Sequence, residues 1–407
     1  MTPRPFYGWT IVAAAFSVLF IAYGAQYSFG IFFNALLDEF GWSRSSLAGA
    51  FSLYAFGYCV FGFPAGRLTD RWGPRIVITV GAVFLATALA GMALVTQLWQ
   101  PYVLYGLVAA LGMGTAYVPC NSTVVKWFSR RRGLAVGLAS SGGSVGTFVL
   151  PPTAQLLVAT VGWRSAYVIF AAAVLVILTS VAVIMRRDPD SMGLHPDGDA
   201  AAPPRATDDP GEWPLSRAIR TPTFWLLGAT FTATWVPVFI PLVHLVPFTR
   251  DLGYSPLVGA WSVSTLGAAA VAGRLVMGPL SDRIGRRPTL AVAMVLQAIA
   301  FGGFAGAQAV PALFLSAAAF GYSYGTISTL FPAIVGDFFG RAAAGALVGF
   351  LFMLAGSMAA WGPLGAGAIY DTTGSYTAAF MLAAVLNGVA LALLAATRPP
   401  ALRLAHA

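Results

Sequence analysis

Charged residues are scarce in this sequence, and their scarcity excludes a soluble globular protein. Asp, Glu, Lys and Arg make up 9% of the 407 residues, while 58% of the residues are hydrophobic. Soluble domains have about 25% charged residues. Apolar segments of about 20 residues, the length that crosses about 30 Å of hydrocarbon, recur along the chain. The sequence therefore predicts a protein that crosses a lipid bilayer many times.

Reactive side chains are just as rare inside the apolar segments. They contain no Asp or Glu, one of the three histidines, and both cysteines, Cys59 and Cys120. A membrane enzyme needs a catalytic acid, base or metal cluster at depth, so we predict no enzymatic activity, metal site or cofactor. A sensor that does not transport would need a sizeable soluble output domain, but the longest polar interval is only residues 186–221.

Hydropathy predicts an all-α membrane protein of twelve spanning helices. They are expected at residues 8–34, 45–66, 76–96, 101–125, 134–160, 164–185, 222–248, 256–280, 288–309, 311–335, 344–368 and 376–396. Nineteen of the 23 Lys and Arg residues fall in the N-terminal segment and in alternate loops, three fall on the other side, and Arg274 falls in a span. Because cytoplasmic loops are enriched in Lys and Arg, both termini are predicted to be cytoplasmic, in a multi-pass protein of the cell membrane.

The net charge of +9 follows from this loop bias, so we predict no nucleic-acid partner. A basic cytoplasmic face beside anionic lipid is the expected arrangement for a membrane protein.

One loop motif occurs twice at a constant offset. GRLTDRWGPR runs from Gly66 to Arg75, and GPLSDRIGRR runs from Gly278 to Arg287, with six identical positions each shifted by 212 residues. This duplication predicts two homologous six-helix halves, residues 1–185 and 222–407. They are joined by a cytoplasmic linker, residues 186–221, that is rich in Pro, Gly and acidic residues.

The repeated G-x-x-x-D-R-x-G-x-R loop resembles the signature of the major facilitator superfamily, and the resemblance covers the whole chain. It implies two pseudo-symmetric six-helix halves that alternate between conformations. It also implies contacts at the cytoplasmic helix ends that act as a gate. A partly desolvated pair of opposite charges can stabilise the closed state of such a gate. The residues to which it assigns this role are Asp70, Arg71, Arg75, Asp282, Arg283 and Arg287.

A second stretch, K-W-F-S-R-R-R-G-L-A-x-G-L-A-x-x-G-x-x-x-G from Lys126 to Gly146, is similar to the helix four to five region of monocarboxylate transporters and of the oxalate:formate antiporters. In monocarboxylate transporters an arginine of helix eight, in an R-x-x-x-G context like Arg274 to Gly278, binds the substrate carboxylate. Animal members also use an Asp and a Lys for proton coupling, where this chain has Ala270 and Tyr27. Their coupling mechanism therefore does not carry over whole.

Arg274 also stands out from the residues alone. It precedes Asp282 by eight residues, so it lies roughly 12 Å inside the cytoplasmic helix end, near the midplane where two-half transporters bind substrate. Its planar guanidinium matches a carboxylate, and the spans hold no acid to pair with it. We therefore predict that Arg274 binds a substrate anion, with a structural cation in a wet cavity as the alternative.

Seven more polar residues are predicted to line the same cavity, because each brings a polar atom into an apolar helix. They are Tyr23, Tyr27, Tyr117, Asn121, His244, Tyr324 and Ser328. His244 is the only histidine in a span, and its unperturbed pKa of about 6.5 makes it the candidate for proton coupling. Ordinary helix packing explains the tyrosines of the first helix equally well, and a hydrogen bond near the outer headgroups explains His244 equally well.

One fixed positive charge matches one carboxylate. The oxalate:formate antiporters hold a dianion with a second cation in helix eleven, which this sequence lacks. We therefore predict alternating-access transport of a small monocarboxylate such as lactate or pyruvate, together with a proton. The proton would travel through His244 or on the substrate carboxylate. Anion exchange of the oxalate/formate type and efflux of another small organic compound remain as alternatives.

Overall fold

A computed structural model describes residues 6–128, 131–199, 215–339 and 344–400. Within these ranges every regular element is a helix. Eleven helical segments are long and apolar enough to cross a membrane. The longest of them contains a non-helical residue, Gly162, and divides there into two helices. The part of the chain that the structure describes therefore holds the twelve predicted spans, which confirms the predicted fold class.

The first half comprises α1 to α6. Their bounds are Tyr7–Phe40 for α1, Arg44–Trp72 for α2, Pro74–Met92 for α3, Trp99–Trp127 for α4, and Arg132–Ile184 for α5 and α6 together, divided at Gly162. The second half comprises α7 to α12. Their bounds are Pro222–Asp251 for α7, Pro256–Ile284 for α8, Arg286–Gly306 for α9, Val310–Phe339 for α10, Ala344–Ala359 and Trp361–Thr373 for α11, and Thr377–Ala396 for α12.

Three glycines make the tightest connections between helices. Gly73 (φ 83°), Gly162 (φ 79°) and Gly285 (φ 95°) separate α2 from α3, α5 from α6, and α8 from α9. A side chain is strained at such angles, so glycine allows one residue to end a helix and begin the next. Gly73 and Gly285 are also equivalent positions of the repeated loop, and their shared conformation shows that the duplication extends to the backbone.

Four spans are interrupted near the middle of their length. The breaks lie at Ser28 in α1, at 115–116 in α4, at 236–238 in α7 and at Ala360 in α11. In α7 the break coincides with Pro237 and is followed by Pro241, and proline cannot donate the backbone hydrogen bond that a continuous helix needs. Irregular backbone at membrane depth is tolerated where it is buried in protein or lines a cavity, so these breaks mark the interior of the bundle.

Two ion pairs join the halves at the outer end. Arg44 of α2 pairs with Asp251 of α7 at 2.6 Å, and Arg250 of α7 pairs with Asp38 of α1 at 2.6 Å. Close packing continues inward, where a Cβ added at Gly30 of α1 would lie 3.1 Å from the carbonyl oxygen of α7 residue 243. The structure is therefore a conformation closed on the outer side.

Candidate substrate site

Arg274 is positioned by close packing of α8 against α10. A Cβ added at the preceding residue, Gly273, would clash with the carbonyl oxygen of Tyr322, and one added at Gly325 would clash with that of Ala270. Small residues on both helices thus let their backbones touch, which is the usual mode of helix packing in membranes. This contact holds the backbone of Arg274 against α10, so only its side chain is free to change conformation.

The guanidinium of Arg274 is half-buried, and its Nε atom is fully buried with no hydrogen-bond partner in the described chain. Arg274 lies ten residues before Ile284, the end of α8, and so roughly 15 Å from the cytoplasmic helix end. It is within electrostatic range of Tyr117, which belongs to α4 of the other half. A buried donor without a partner is costly, so the boundary between the halves contains an unsatisfied cationic donor.

Four tyrosines form a continuous cluster beside this donor. The ring centroids of Tyr23 and Tyr27 lie 5.8 Å apart, and those of Tyr23 and Tyr117 lie 6.3 Å apart in an edge-to-face arrangement. The hydroxyl oxygens of Tyr27 and Tyr324 lie 3.4 Å apart, which joins α1 of the first half to α10 of the second. Tyr23, Tyr27, Tyr117 and Tyr324 are thus brought together across the two halves, and the cluster reaches Arg274 through Tyr117.

The helix breaks explain why these tyrosines meet. Tyr27 directly precedes the break in α1, and Tyr117 directly follows the break in α4. On the other side of α1, a Cβ added at Gly142 or Gly146 of α5 would clash with the carbonyl oxygens of residues 16 and 20 of α1. The breaks therefore place polar side chains at depth, while the glycines of α5 fix the position of α1.

Sequence reasoning missed two aromatic residues that extend the cluster. Phe352 of α11 stacks on Tyr117 with ring centroids 5.8 Å apart, and Trp235 of α7 packs edge-to-face on Phe352 at 5.2 Å. The Nε1 of Trp235 is buried and, within the described residues, has no hydrogen-bond partner. The position of Trp235 beside Pro237 could have indicated this, since proline breaks a helix and exposes polar groups at depth. Phe352 is an apolar residue in an apolar helix, so nothing in the sequence distinguishes it.

Two of the predicted site residues, Asn121 and Ser328, form hydrogen bonds within their own half. The Nδ2 of Asn121 donates to the carbonyl oxygen of Tyr117 at 3.0 Å, and its Oδ1 accepts from Ser140 Oγ at 3.0 Å. The hydroxyl of Ser328 donates to the carbonyl oxygen of Gly325 at 3.0 Å. Both side chains are half-buried. Their assignment to the substrate site stays a prediction.

His244 lies in a different environment, near the outer end of the bundle. It is fully buried, with Nδ1 2.9 Å from the hydroxyl of Tyr376 and Nε2 2.9 Å from the carbonyl oxygen of Pro363. The Tyr376 hydroxyl accepts from Arg44 Nη1 at 2.9 Å, so its proton is free to be donated to Nδ1, leaving Nε2–H to donate to Pro363. Burial raises the pKa of the Tyr376 hydroxyl above its usual range, which keeps it neutral in this chain.

Both nitrogens of His244 are therefore engaged by residues of its own half, one of which, Tyr376, contacts Arg44 of the other half at the outer closure. None of its hydrogen bonds or ring contacts involves Arg274 or the tyrosine cluster. Its predicted roles in substrate contact and proton coupling stay predictions, and this conformation gives them no geometric support.

The predicted gating residues form their contacts within one half. Asp70 pairs with Lys126 of α4 at 2.5 Å, and Asp282 pairs with Arg286 at 2.5 Å. Arg287 donates to the carbonyl oxygens of residues 394 and 395 at 3.1 Å. Arg71 and Arg75 line a cytoplasmic cavity, and Arg283 is exposed. Since the structure is closed at the opposite end, the gating role of these six residues stays a prediction.

Comparison with known proteins agrees with this architecture. The profile of the Major Facilitator Superfamily matches residues 15–248 and 229–406. Human monocarboxylate transporter 11 is 30% identical over 409 residues, covering 95% of this chain and 83% of its own length. Rat monocarboxylate transporter 13 is 29% identical, covering 93% of this chain and 86% of its own length. These matches extend over nearly the whole chain and include both halves.

Solved structures share the fold at low sequence identity. A bacterial homologue of the human lysosomal transporter Spinster, in an inward-facing and occupied conformation, has a TM-score of 0.73 at 17% identity and covers 97% of both chains. A mutant of the nucleoside transporter NupG has a TM-score of 0.74 at 13% identity, covering 95% of this chain and 99% of its own. The chain therefore belongs to the major facilitator superfamily and, within it, to the monocarboxylate transporter family.

Proposed function

We propose that this protein is a secondary active transporter that moves a small monocarboxylate, of the lactate or pyruvate type, together with a proton. The observation that carries the proposal is the buried Nε of Arg274, which lies at the boundary between the halves and has no hydrogen-bond partner among the described residues. A substrate carboxylate would satisfy this donor and neutralise the cation at the same time. The relatedness to monocarboxylate transporters supports the same substrate class.

The neutral surroundings of Arg274 support a single negative charge on the substrate. The cluster beside it consists of tyrosine hydroxyls and the indole of Trp235, and away from their ends the spans predicted from hydropathy contain no second Lys or Arg. A dianion would leave one carboxylate without a cationic partner at depth, which is unfavourable in a medium of low dielectric constant. A cationic drug would be repelled by Arg274, which argues against cation efflux.

In this proposal the proton is carried by His244 or by the substrate carboxyl group, which is neutral while it holds the proton and forms the ion pair with Arg274 only after releasing it. The spans predicted from hydropathy contain no Asp or Glu, and both nitrogens of His244 are hydrogen-bonded beside the outer closure. Alternating access then follows from motion of residues 1–185 against residues 222–407, with the polar interval 186–221 as the linker. Opening the outer end requires separation of Arg44 from Asp251 and of Arg250 from Asp38.

Uptake of labelled lactate and pyruvate into proteoliposomes tests the proposal. Arg274→Ala is expected to lower uptake at least about 100-fold, since each charge-assisted hydrogen bond contributes about 1.5–3 kcal/mol. Arg164→Ala is the matched control, because Arg164 pairs with Glu39 on the outer surface of one half. Full uptake by Arg274→Ala would refute the assigned role.

The coupling ion is tested in the same vesicles. Proton symport predicts that uptake rises as the external pH falls and that a protonophore abolishes accumulation. If a pH gradient has no effect, while preloading with oxalate, formate or lactate accelerates uptake, anion exchange replaces symport. A thermal-shift panel of short mono- and dicarboxylates on the purified protein then ranks the substrates.

A further inference from the structure

The cytoplasmic end of the first half contains a cavity that the transport site does not use. It has a volume of about 290 Å³ and lies between the α2–α3 turn and the chain that follows α6. Four arginines line it: Arg71, Arg75, Arg186 and Arg187. None of its lining residues is acidic. We refer to it as the arginine pocket.

Two of the four cations have no counter-charge among the described residues. Arg71 and Arg75 are exposed and make no hydrogen bond or ion pair within the described residues. Arg187 reaches only Asp188, at 3.5 Å and with both side chains partly exposed, and Arg186 donates to the carbonyl oxygen of residue 183 at 3.0 Å. The pocket thus concentrates positive charge that the chain itself leaves largely unneutralised.

The equivalent loop of the second half differs in this respect. There Arg286 pairs with Asp282 and, at 3.4 Å, with Asp337, while Arg287 donates to two backbone carbonyls at the end of α12. Arg287 is the counterpart of Arg75 at the offset of 212 residues. Arg283, the counterpart of Arg71, is exposed and makes no hydrogen bond or ion pair among the described residues either, so the difference between the loops lies in the free guanidinium of Arg75 and in the neighbouring Arg186 and Arg187.

The walls of the arginine pocket are held in place. The Nε1 of Trp127 donates to the carbonyl oxygen of Arg186 at 3.2 Å, and the hydroxyl of Tyr7 donates to that of Ile184 at 2.8 Å. On the far side, the backbone N–H and the hydroxyl of Ser191 both bond to Asp188, at 2.9 and 2.6 Å. A pocket with an ordered backbone loses less entropy on binding a ligand than a flexible one.

The rim of the arginine pocket continues into the lipid-facing surface. Trp72 lines the pocket and is 52% exposed. From there Ile76, Val80 and Phe84, spaced four residues apart on one face of α3, are all exposed and apolar. Val183 of α6 is exposed and apolar as well. A ligand bound here therefore has cations at one end and hydrocarbon-facing surface at the other.

We propose that the arginine pocket binds the phosphate of an acidic phospholipid, whose acyl chains lie along α3. Guanidinium groups match phosphate oxygens, and Trp72 stands where tryptophan is enriched, at the level of the headgroups. Basic pockets at the cytoplasmic ends of spanning helices bind anionic headgroups in this way. The proposal does not depend on the transported substrate.

Binding of short-chain lipids to the full-length protein in neutral detergent tests it, with the melting temperature and native mass spectrometry as readouts. Dioctanoyl phosphatidylglycerol is expected to bind saturably and raise the melting temperature, and dioctanoyl phosphatidylcholine is not. Arg186→Gln/Arg187→Gln should bind the acidic lipid roughly thirtyfold more weakly, since each basic side chain near an anionic lipid contributes about 1 kcal/mol.

The matched control is Arg217→Gln/Arg220→Gln, which removes the same charge from the same end of the protein outside the pocket. It should bind phosphatidylglycerol like the unaltered chain. Equal binding by the pocket variant, or equal stabilisation by phosphatidylcholine, would overturn the proposal. Saturable stabilisation by inorganic phosphate alone, lost in the pocket variant, would also overturn it, because the ligand would then be a soluble anion.

Discussion

Arg44, at the start of α2, and Asp251, at the end of α7, form a two-pronged ion pair between the halves, with Nη1–Oδ2 at 2.6 Å and Nη2–Oδ1 at 2.7 Å. The guanidinium also lies 3.8 Å above the ring of Tyr370. The carboxylate of Asp371, from the second half, accepts the backbone N–H groups of Arg44 and Ser45 at 3.1 and 2.9 Å. Two carboxylates of one half thus hold the start of a helix of the other, where the helix dipole favours negative charge.

Asp251→Asn is expected to loosen this outer closure. The pair is neither fully exposed nor fully buried, so its loss should destabilise the outward-closed state by about 1–3 kcal/mol, a shift of roughly 5- to 150-fold in population. A Cβ added at Gly356 of α11 would lie 2.6 Å from the Sγ of the buried Cys59 of α2, so we expect Cys59 to become accessible when the halves separate. In a Cys120→Ala background, a membrane-impermeant thiol reagent applied from outside should label Cys59 faster in the variant.

Glu39→Gln is the matched control for that measurement. It removes a carboxylate from the same end of the protein, but its partner Arg164 belongs to the same half. The labelling rate of Cys59 should then stay unchanged. Equal acceleration by both variants would mean that general destabilisation, and not the contact between the halves, controls access.

His244→Phe is expected to weaken the fold and to leave proton coupling intact. The change removes the acceptor of the Tyr376 hydroxyl and the donor to the Pro363 carbonyl, at a cost of about 1–3 kcal/mol for each buried group left unpaired. The measurable results are a lower melting temperature and an unaltered dependence of uptake on external pH. His244→Gln, whose amide both donates and accepts, should recover part of the stability.

The opposite result would restore the proton-coupling role of His244. If His244→Phe keeps the melting temperature but abolishes the pH dependence of uptake, the imidazole carries the proton and the contacts at the outer closure are secondary.

Tyr27→Phe and Tyr324→Phe should each weaken substrate binding without unfolding the protein. Their hydroxyls face each other at 3.4 Å across the halves, a long and weak contact that a substrate oxygen can replace. Each loss is expected to raise the KM for uptake by about 2- to 10-fold, for a hydrogen bond of about 0.5–1.5 kcal/mol. If both hydroxyls bind the same substrate oxygen, the double variant will lose less binding free energy than the sum of the losses in the two single variants. Tyr54→Phe, whose hydroxyl bonds Gln26 within one half, should leave KM unchanged.

Trp235→Phe separates a binding role from a packing role. The ring contact with Phe352 can persist, while the buried Nε1–H that has no partner in the described chain disappears. We expect the melting temperature to stay or rise, since an unsatisfied buried donor is lost, and KM to rise about 2- to 10-fold. Trp163→Phe is the contrast, because its Nε1 donates to Glu39 at 2.6 Å and its loss should lower the melting temperature. An unchanged KM in Trp235→Phe would remove the indole from the site.

Several features of the fold and site could be predicted because each depends on a short stretch of sequence or on a simple count of residues. Span length follows from hydrophobic thickness, and the loop arginines indicate the orientation. The two halves are visible because Gly73 and Gly285 recur at a fixed offset in the same turn. Arg274 stood out because a lone cation in an apolar helix needs a partner, a requirement that holds whatever surrounds it.

The tertiary structure decided which polar residues share a site. His244 and Tyr117 look alike in sequence, each being a polar residue in an apolar helix, yet His244 is hydrogen-bonded beside the outer closure and Tyr117 lies within electrostatic range of Arg274 of the other half. Trp235 joined the cluster only through the break in α7, and Arg71 became a pocket residue only because α6 ends beside it. The sequence by itself determined the spans, the duplication and the buried cation, since these depend on hydropathy, repetition and charge count. The partners of each side chain depend on how separate helices pack, and only the folded bundle decides that.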